Sequence, residues 1–350
     1  MLASVANWFS PAGQRGGPVA SDVAFSVLVL GLFVVTLWYL TRRPHRRPVS
    51  SGTSAPSWRQ GMAVYLGLMK PRIIPLLLIP TGAAMLIAER LQPVPMPLFM
   101  RLFALTLVGG TLAAAGAHVF NCYLDRDLDA NMRRTRTRAF PTGRVSAGPA
   151  LAFGAALTVA SFALLALTVN WLAAALALSG NLFYVLVYSL WLKRATPQNI
   201  VIGGAAGAVP PLVGWAAVTH QVGLPAILLF AIIYFWTPAH FWALALVREE
   251  DYRSAGVPML PVVRGREETR RQIVRYTVLL CVTTVALFLT HSMGVFYLVV
   301  AALLGGIFLF KAWQLLRGAD TAQAWGLFKY SNMYLALLYG AMVVDRLLPH

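Results

Sequence analysis

The chain has 350 residues, 58% hydrophobic and only 12% charged, with a formal charge of +17. An ordinary soluble domain carries about 25% charged residues, so the composition excludes that class and points to a bilayer as the solvent. On a soluble protein such a charge would suit nucleic acid; in a membrane chain it belongs to basic loops on one side, and no nucleic-acid partner is expected.

A spanning helix needs about 20 mostly apolar residues. The first candidate covers residues 23–41. Its apolar core is longer than that of a cleaved signal, and Arg42-Arg43-Pro44-His45-Arg46-Arg47 behind it reads as a stop-transfer flank. Residues 44–60 are rich in Pro, Ser and Gly and read as a flexible linker. Residues 1–60 are therefore expected to be an extension with one extra transmembrane helix, and residues 61–350 a nine-helix body. The nine spans fall near 73–90, 98–122, 147–169, 171–191, 199–219, 223–247, 273–291, 294–313 and 325–346. The expected fold class is an all-α polytopic membrane protein. If the ten spans alternate, 25 of the 29 Lys and Arg residues lie on one side, with Arg15, Arg90, Arg101 and Arg346 on the other. Lys and Arg favour the cytoplasmic side, which places both termini outside. Cys122 and Cys281 lie in apolar runs with no partner spacing and read as small buried hydrophobes.

Acids are scarce, so their placement carries information. Asn121, Asp125 and Asp129, at the end of span 98–122, are spaced i, i+4, i+8. On a helix they share one stripe, neighbours roughly 6 Å apart at Cβ. Carboxylates are costly near lipid and mark a functional site. Two of them one turn apart suit Mg²⁺, which is commonly held by one or two carboxylates and a substrate's phosphates. Behind them comes Met132-Arg133-Arg134-Thr135-Arg136-Thr137-Arg138. Taken singly, these arginines are topology signals. Beside carboxylates they form a setting for a metal–polyphosphate, because Arg binds phosphate oxygens in a bidentate fork. Arg134 and Arg138 would face the same way if the helix continued.

Next in the chain is Tyr188 to Asn199. Lys193 and Arg194 there serve either as membrane anchors or as phosphate ligands, and Asn199 is a polar group in need of a partner. The small residues Gly203 to Ala208 allow close helix approach or leave room for a flat ligand. In Tyr234-Phe235-Trp236-Thr237-Pro238-Ala239-His240-Phe241-Trp242 the aromatic run is packing or a cation-stabilising wall. His240 is a core histidine, a haem ligand or a proton carrier, and Pro238 should kink the helix. The second acidic cluster, Arg248-Glu249-Glu250-Asp251-Tyr252-Arg253, lies on the same side as the first. Asp251 is the expected second metal ligand, with Glu250 as the alternative. The Gly/Pro-punctuated segment Ala255–Pro261 behind it could close over a site.

Together these residues resemble the UbiA-type superfamily of intramembrane prenyltransferases. Asn121, Asp125 and Asp129 match its first motif, Asn-x-x-x-Asp-x-x-x-Asp. Lys70-Pro71-Arg72-Ile73, Met132–Thr135, Leu192–Ile200 with its Thr-Pro-Gln-Asn string, Phe235–Ala243 and Asp251-Tyr252 with Ala255–Pro261 resemble the branch that farnesylates haem. The residue four after Asp251 is Ala255, where quinone-type members have a second aspartate, and Ala139 stands where proline is usual.

The resemblance implies a nine-helix UbiA-type bundle in the bacterial cytoplasmic (inner) membrane with its active site facing the cytoplasm. It implies transfer of farnesyl from farnesyl diphosphate to a vinyl group of protoheme IX (haem B), with addition of water. Mg²⁺ would rest on Asp125, Asp129, Asn121 and Asp251, the catalytic set. Diphosphate would be bound by Arg134, Arg138, Lys193, Arg194, Lys70, Arg72, Asn199 and Tyr252. Trp236, His240 and Trp242 would line the haem and cation pocket, and a haem A synthase would be a partner. A quinone- or chlorophyll-type prenyltransferase shares the fold. An ion-coupled transporter is the rival from another class, although transporters place their acids nearer the bilayer midplane.

Overall fold

The computed structural model describes residues 58–318 and 320–348. The span expected at 23–41 and the linker up to residue 57 lie outside the described residues. All regular structure among the described residues is helical, as a bilayer demands of a chain whose backbone groups must be satisfied within each segment.

A short helix α1 (Trp58–Leu68) precedes α2 (Ile74–Leu91) and α3 (Met96–Leu124). A one-and-a-half-turn α4 (Arg126–Asn131) follows α3 directly, with Asp125 at the joint. Then come α5 (Ala147–Thr168) and α6 (Trp171–Leu182), which runs on through a π-helical stretch, Phe183–Leu192, into Lys193–Ala195. The span expected at 199–219 is two helices, α7 (Asn199–Ala208) and α8 (Pro210–Thr219). Pro210 and Pro211 lack the N–H groups that would join them. The remainder are α9 (Leu224–Val247), α10 (Glu249–Ser254), α11 (Leu260–Leu289), α12 (Val295–Gly318) and α13 (Thr321–Leu347).

Helix starts follow local rules. Pro sits at the first or second position of α2, α3, α8, α9 and α11, where a missing N–H costs nothing. Asn170 caps α6 by accepting Ala173 N at 2.8 Å, and Asp320 caps α13 through Ala322 N at 3.0 Å. The kink expected at Pro238 does not interrupt α9; the break lies in α11, at Gly265 (φ 80°, ψ 169°). That conformation is open to Gly and strained for any residue with a Cβ. The helix carrying the span expected at 273–291 begins earlier, at Leu260, with a short turn ahead of the kink and a charged stretch before the apolar part.

Eight of the described helical segments are long and apolar enough to cross a membrane, so the chain is an integral membrane protein. The ninth long segment, α13, falls short because it carries polar side chains, and these have partners in the bundle. Asp345 accepts the backbone N–H of Gly294 (2.6 Å) and Tyr297 (2.9 Å) at the start of α12. Arg346 pairs with Glu89 of α2 at 2.7 Å, so the last described helix closes on α2. Small residues set the close seams, as where a Cβ on Gly214 of α8 would stand 2.2 Å from the carbonyl oxygen of Thr81 in α2. Cys122 and Cys281 are free thiols, the first fully buried.

Candidate active site

The stripe expected from the spacing forms despite the joint at Asp125. Backbone hydrogen bonds from Asp125 N to Asn121 O (2.9 Å) and from Asp129 N to Asp125 O (2.7 Å) carry the helical path across it. Asn121, Asp125 and Asp129 are buried, at 2%, 2% and 3% exposure. Buried carboxylates need partners, and three other elements supply cations.

Lys193, at the end of the π-helical stretch, places its ammonium 2.6 Å from Asp125 Oδ2. The Asn121 amide donates to the same oxygen (2.8 Å) and to Ser189 Oγ (2.9 Å). Lys70, in the turn before α2, donates to Asn121 Oδ1 at 2.6 Å; burial pushes its amine below the usual lysine range. Asp129 receives both of its contacts from Arg138, each at 2.9 Å. Arg194 makes a bidentate pair with Asp127, both distances 2.6 Å, and those hydrogen bonds hold the Asp127 carboxyl below its ordinary range. Asp127 and Ser189 were not expected at the site. Asp127 lies off the 121/125/129 stripe, and Ser189 comes from a distant segment with no motif of its own.

The helix does not continue to Arg134 and Arg138. It ends at Asn131 with Met132 extended, and hydrogen-bonded turns follow, from Thr135 N to Met132 O (3.1 Å) and from Arg138 N to Thr135 O (2.9 Å). The two arginines therefore part. Arg138 turns back to Asp129, while Arg134 is exposed, its charge close enough to act on the phenol of Tyr252. Arg72 is exposed and makes no ion pair among the described residues.

The second acidic cluster forms α10. Asp251 lies 3.9 Å from Arg248 Nη1, and Glu250 is 86% exposed. Glu249 instead ties the cluster to α11 through Arg266 at 2.7 Å. Among the described residues no three His, Cys, Asp or Glu side chains come together as a ready metal cluster. Tyr252 follows Asp251 in α10. It feels Tyr188, Arg134 and Lys193 together, and burial raises its phenol. Asn199 is fully buried; its amide donates to Thr196 O at 2.8 Å, and its Oδ1 has no partner.

The aromatic candidates divide. Trp236 stacks on His240 (centroids 4.2 Å), and Phe328 of α13 covers the opposite face (4.6 Å). His240 Nδ1 lies 2.7 Å from Ser331 Oγ. Ser331 gives its hydroxyl proton to Phe328 O (2.7 Å), which assigns the ring proton to Nδ1. Trp236 Nε1 donates to Ser331 O at 2.8 Å. Trp242 lies elsewhere, edge-on to Tyr276 of α11 at 5.4 Å.

One atom carries the chemical argument. Asp125 Oδ2 has two donors, whereas Asp125 Oδ1 is buried with no partner. An orphaned carboxylate oxygen is costly unless a cation completes it. Hard oxygen donors suit Mg²⁺, so the residues present fit such an ion, with Asp125 Oδ1 as the open donor. Asn121 Oδ1 and both oxygens of Asp129 are engaged by Lys70 and Arg138.

Residues 77–338 match the sequence profile of the UbiA prenyltransferase family. A protein named protoheme IX farnesyltransferase from Roseiflexus castenholzii is 48% identical over 339 residues, covering 93% of this chain and 62% of that protein. One of the same name from Roseiflexus sp. is 53% identical, with 81% and 52% covered. The chain thus spans less than two thirds of the length of these two relatives. The Synechocystis protein of that name is 52% identical over 305 residues, covering 87% of this chain and 93% of its own. Among solved structures, a digeranylgeranylglyceryl phosphate synthase aligns with TM-score 0.68 at 19% identity over 81% of this chain and 98% of its own. A UbiA homolog from Archaeoglobus fulgidus bound to DMAPP and Mg²⁺ aligns with TM-score 0.59 at 18% identity over 80% and 99%. These two share the fold.

Proposed function

The chain belongs to the UbiA prenyltransferase family, and on that premise we propose that it transfers farnesyl from farnesyl diphosphate to a vinyl group of protoheme IX. The acceptor is taken from the relatives named protoheme IX farnesyltransferase. The carrying observation is the unpartnered Asp125 Oδ1 inside a cluster that is otherwise saturated with cations. The arginine-rich face is the cytoplasmic one of a bacterial inner membrane, and both termini lie outside.

The bonds balance as follows. The allylic C–O bond breaks and diphosphate leaves. The terminal vinyl carbon bonds to farnesyl C1, and water adds its oxygen to the neighbouring carbon with loss of a proton. Mg²⁺ would be held first at the open Asp125 Oδ1, with Asn121 and Asp129, once released by Lys70 and Arg138, and Asp251 as further ligands; when bound it would supply positive charge against the charge developing on the leaving diphosphate. Lys193 and Lys70 orient the Asp125 and Asn121 side chains. Arg138 is the cation best placed to exchange a carboxylate for a phosphate oxygen, since Nη1 alone reaches both oxygens of Asp129 and the rest of its planar guanidinium can take phosphate oxygens. Arg134, Arg194, Arg72, Asn199 and Tyr252 are the further diphosphate contacts. Trp236, with His240 beside it, offers an electron-rich wall to an allylic cation; Trp242, edge-on to Tyr276, is not part of that wall. A haem A synthase is the partner that such a product implies.

The test is an assay of the purified protein with protoheme IX, farnesyl diphosphate and Mg²⁺, products read by mass spectrometry. A product heavier by farnesyl plus water, lost with EDTA, is expected. Prenylation of a phenolic acceptor instead would overturn the haem assignment. No transfer to any acceptor would overturn the reaction.

A further inference from the structure

A polar pocket opens between the loop Thr196–Gln198 and the first turns of α11, lined by Thr196, Gln198, Arg264, Glu268 and Gln272 with apolar edges from Pro197 and Leu260. None of the groups placed at the diphosphate site belongs to it. Arg264 is exposed and makes no ion pair among the described residues. The acid in the wall, Glu268, has one oxygen engaged: Oε1 accepts Gln272 Nε2 at 2.7 Å and faces Arg275 at 3.7 Å. Thr196 Oγ1 accepts the backbone N–H of Gln198 at 3.2 Å, so its own proton is free to donate outward. The Gln198 amide is exposed beside it. The pocket therefore offers one guanidinium, one hydroxyl and one amide as donors.

Backbone geometry fixes where the Arg264 side chain leaves the chain. Gly265, at φ 80°, ends the short turn that begins at Leu260, leaving Arg264 as the last residue ahead of the kink, while Leu260 is buried at 4% exposure. On the other wall, Thr196 N donates to Leu192 O at 3.1 Å, which fastens the loop to the helix end bearing Lys193. Lys193 in turn holds Asp125 Oδ2 at 2.6 Å. One loop thus serves both the acidic cluster and this pocket.

The donor set decides the ligand class. A diphosphate needs several cations or a metal ion, as at Asp125. A single Arg fork with neutral donors matches a singly charged, planar oxyanion. We propose that the pocket binds a carboxylate of the acceptor: one of the propionates of the haem, held at the aqueous edge while the vinyl end extends into the bundle. This deepens the haem reading and rests on it. The phosphate of an anionic lipid headgroup has the same charge and donor needs, so the test separates the two sources.

The full chain in lipid nanodiscs is titrated with protoheme IX and with its dimethyl ester, followed by absorbance, in zwitterionic bilayers and in bilayers with added anionic lipid. Binding needs no turnover. Wild type is expected to bind protoheme about tenfold tighter than the ester, roughly one charge-assisted hydrogen bond. Arg264→Gln should remove that preference, leave ester binding and the KM for farnesyl diphosphate unchanged, and do so in both bilayers. Gln198→Leu, on the opposite wall, should reduce the preference to a smaller degree and carries the test if the Arg264 variant does not fold. Equal binding of protoheme and ester by wild type would overturn the proposal. So would an Arg264→Gln effect confined to anionic bilayers, which would assign the pocket to lipid. Lost transfer with the Arg264 effect intact would overturn the reaction and leave the subsite standing; transfer with no Arg264 effect would do the reverse.

Discussion

Lys193 meets Asp125 across 68 positions of chain, its ammonium 2.6 Å from Oδ2, while Oδ1 of the same carboxylate is buried with no partner. The pairing fixes which oxygen remains open. An acid so placed is half-satisfied, and the missing half has the chemistry of a hard cation.

Asp125→Asn keeps the shape and removes the charge. Transfer should fall at least about 100-fold, the scale of losing one preorganised electrostatic group. Raising Mg²⁺ tenfold should not restore it. A variant with normal Mg²⁺ dependence would assign the metal to other residues.

Arg138→Lys keeps the charge of the Asp129 pair, in which Nη1 alone makes both 2.9 Å contacts, and loses the planar guanidinium that would take phosphate oxygens. The KM for farnesyl diphosphate should rise about tenfold, since a point charge does not reproduce a planar fork. Steady-state kinetics with the acceptor saturating would check this; an unchanged KM would leave Arg138 as a structural partner of Asp129 alone.

Two glycines of one helix give a paired stability test. A Cβ on Gly203 would stand 2.2 Å from Tyr188 Cδ2, whereas nothing lies within 4 Å of one on Gly207. Gly203→Ala should destabilise by about 1–3 kcal/mol through overpacking and disturb Tyr188 beside the acidic site. Gly207→Ala should stabilise by roughly 0.5–1 kcal/mol through lost backbone entropy. Thermal unfolding in one detergent would show the opposite signs; shifts of the same sign would mean α7 and the π-helical stretch are not this close.

Ser331→Ala removes the acceptor of His240 Nδ1–H, 2.7 Å away in the fully packed ring column. Leaving that N–H unsatisfied should cost about 1–3 kcal/mol, read as a lowered unfolding temperature. His240→Phe, which keeps the stacking on Trp236 and Phe328 and needs no partner, should suppress the Ser331→Ala penalty. Additive losses in the double variant would break this coupling.

Much of the site was legible because helical periodicity is local. The 121/125/129 stripe needed only a turn-by-turn count, and the uneven distribution of Lys and Arg set both acidic clusters on one face. The same count places Trp242 apart from Trp236: at about 100° per residue, six positions carry it to another flank of α9. Elsewhere the count misled. Arg134 and Arg138 share a spacing but not a direction, because the backbone leaves the helix at Met132.

Composition and order alone settled that this chain lives in a bilayer and where eight apolar spans fall among the described residues; they offered candidates for a polyphosphate site. They could not say which cation meets which acid. Lys193 rather than Arg194 reaches Asp125, Arg194 takes Asp127, Arg138 takes Asp129, and Glu249 serves α11 instead of a metal. Nor could they bring Ser331 to His240 across 91 positions, with Phe328 beside it. Those choices depend on how helix ends pack and where turns aim their side chains. A periodicity of 3.6 residues relates neighbours on one helix and carries no information about the helix opposite, so only the tertiary structure could leave Asp125 Oδ1 as the open atom.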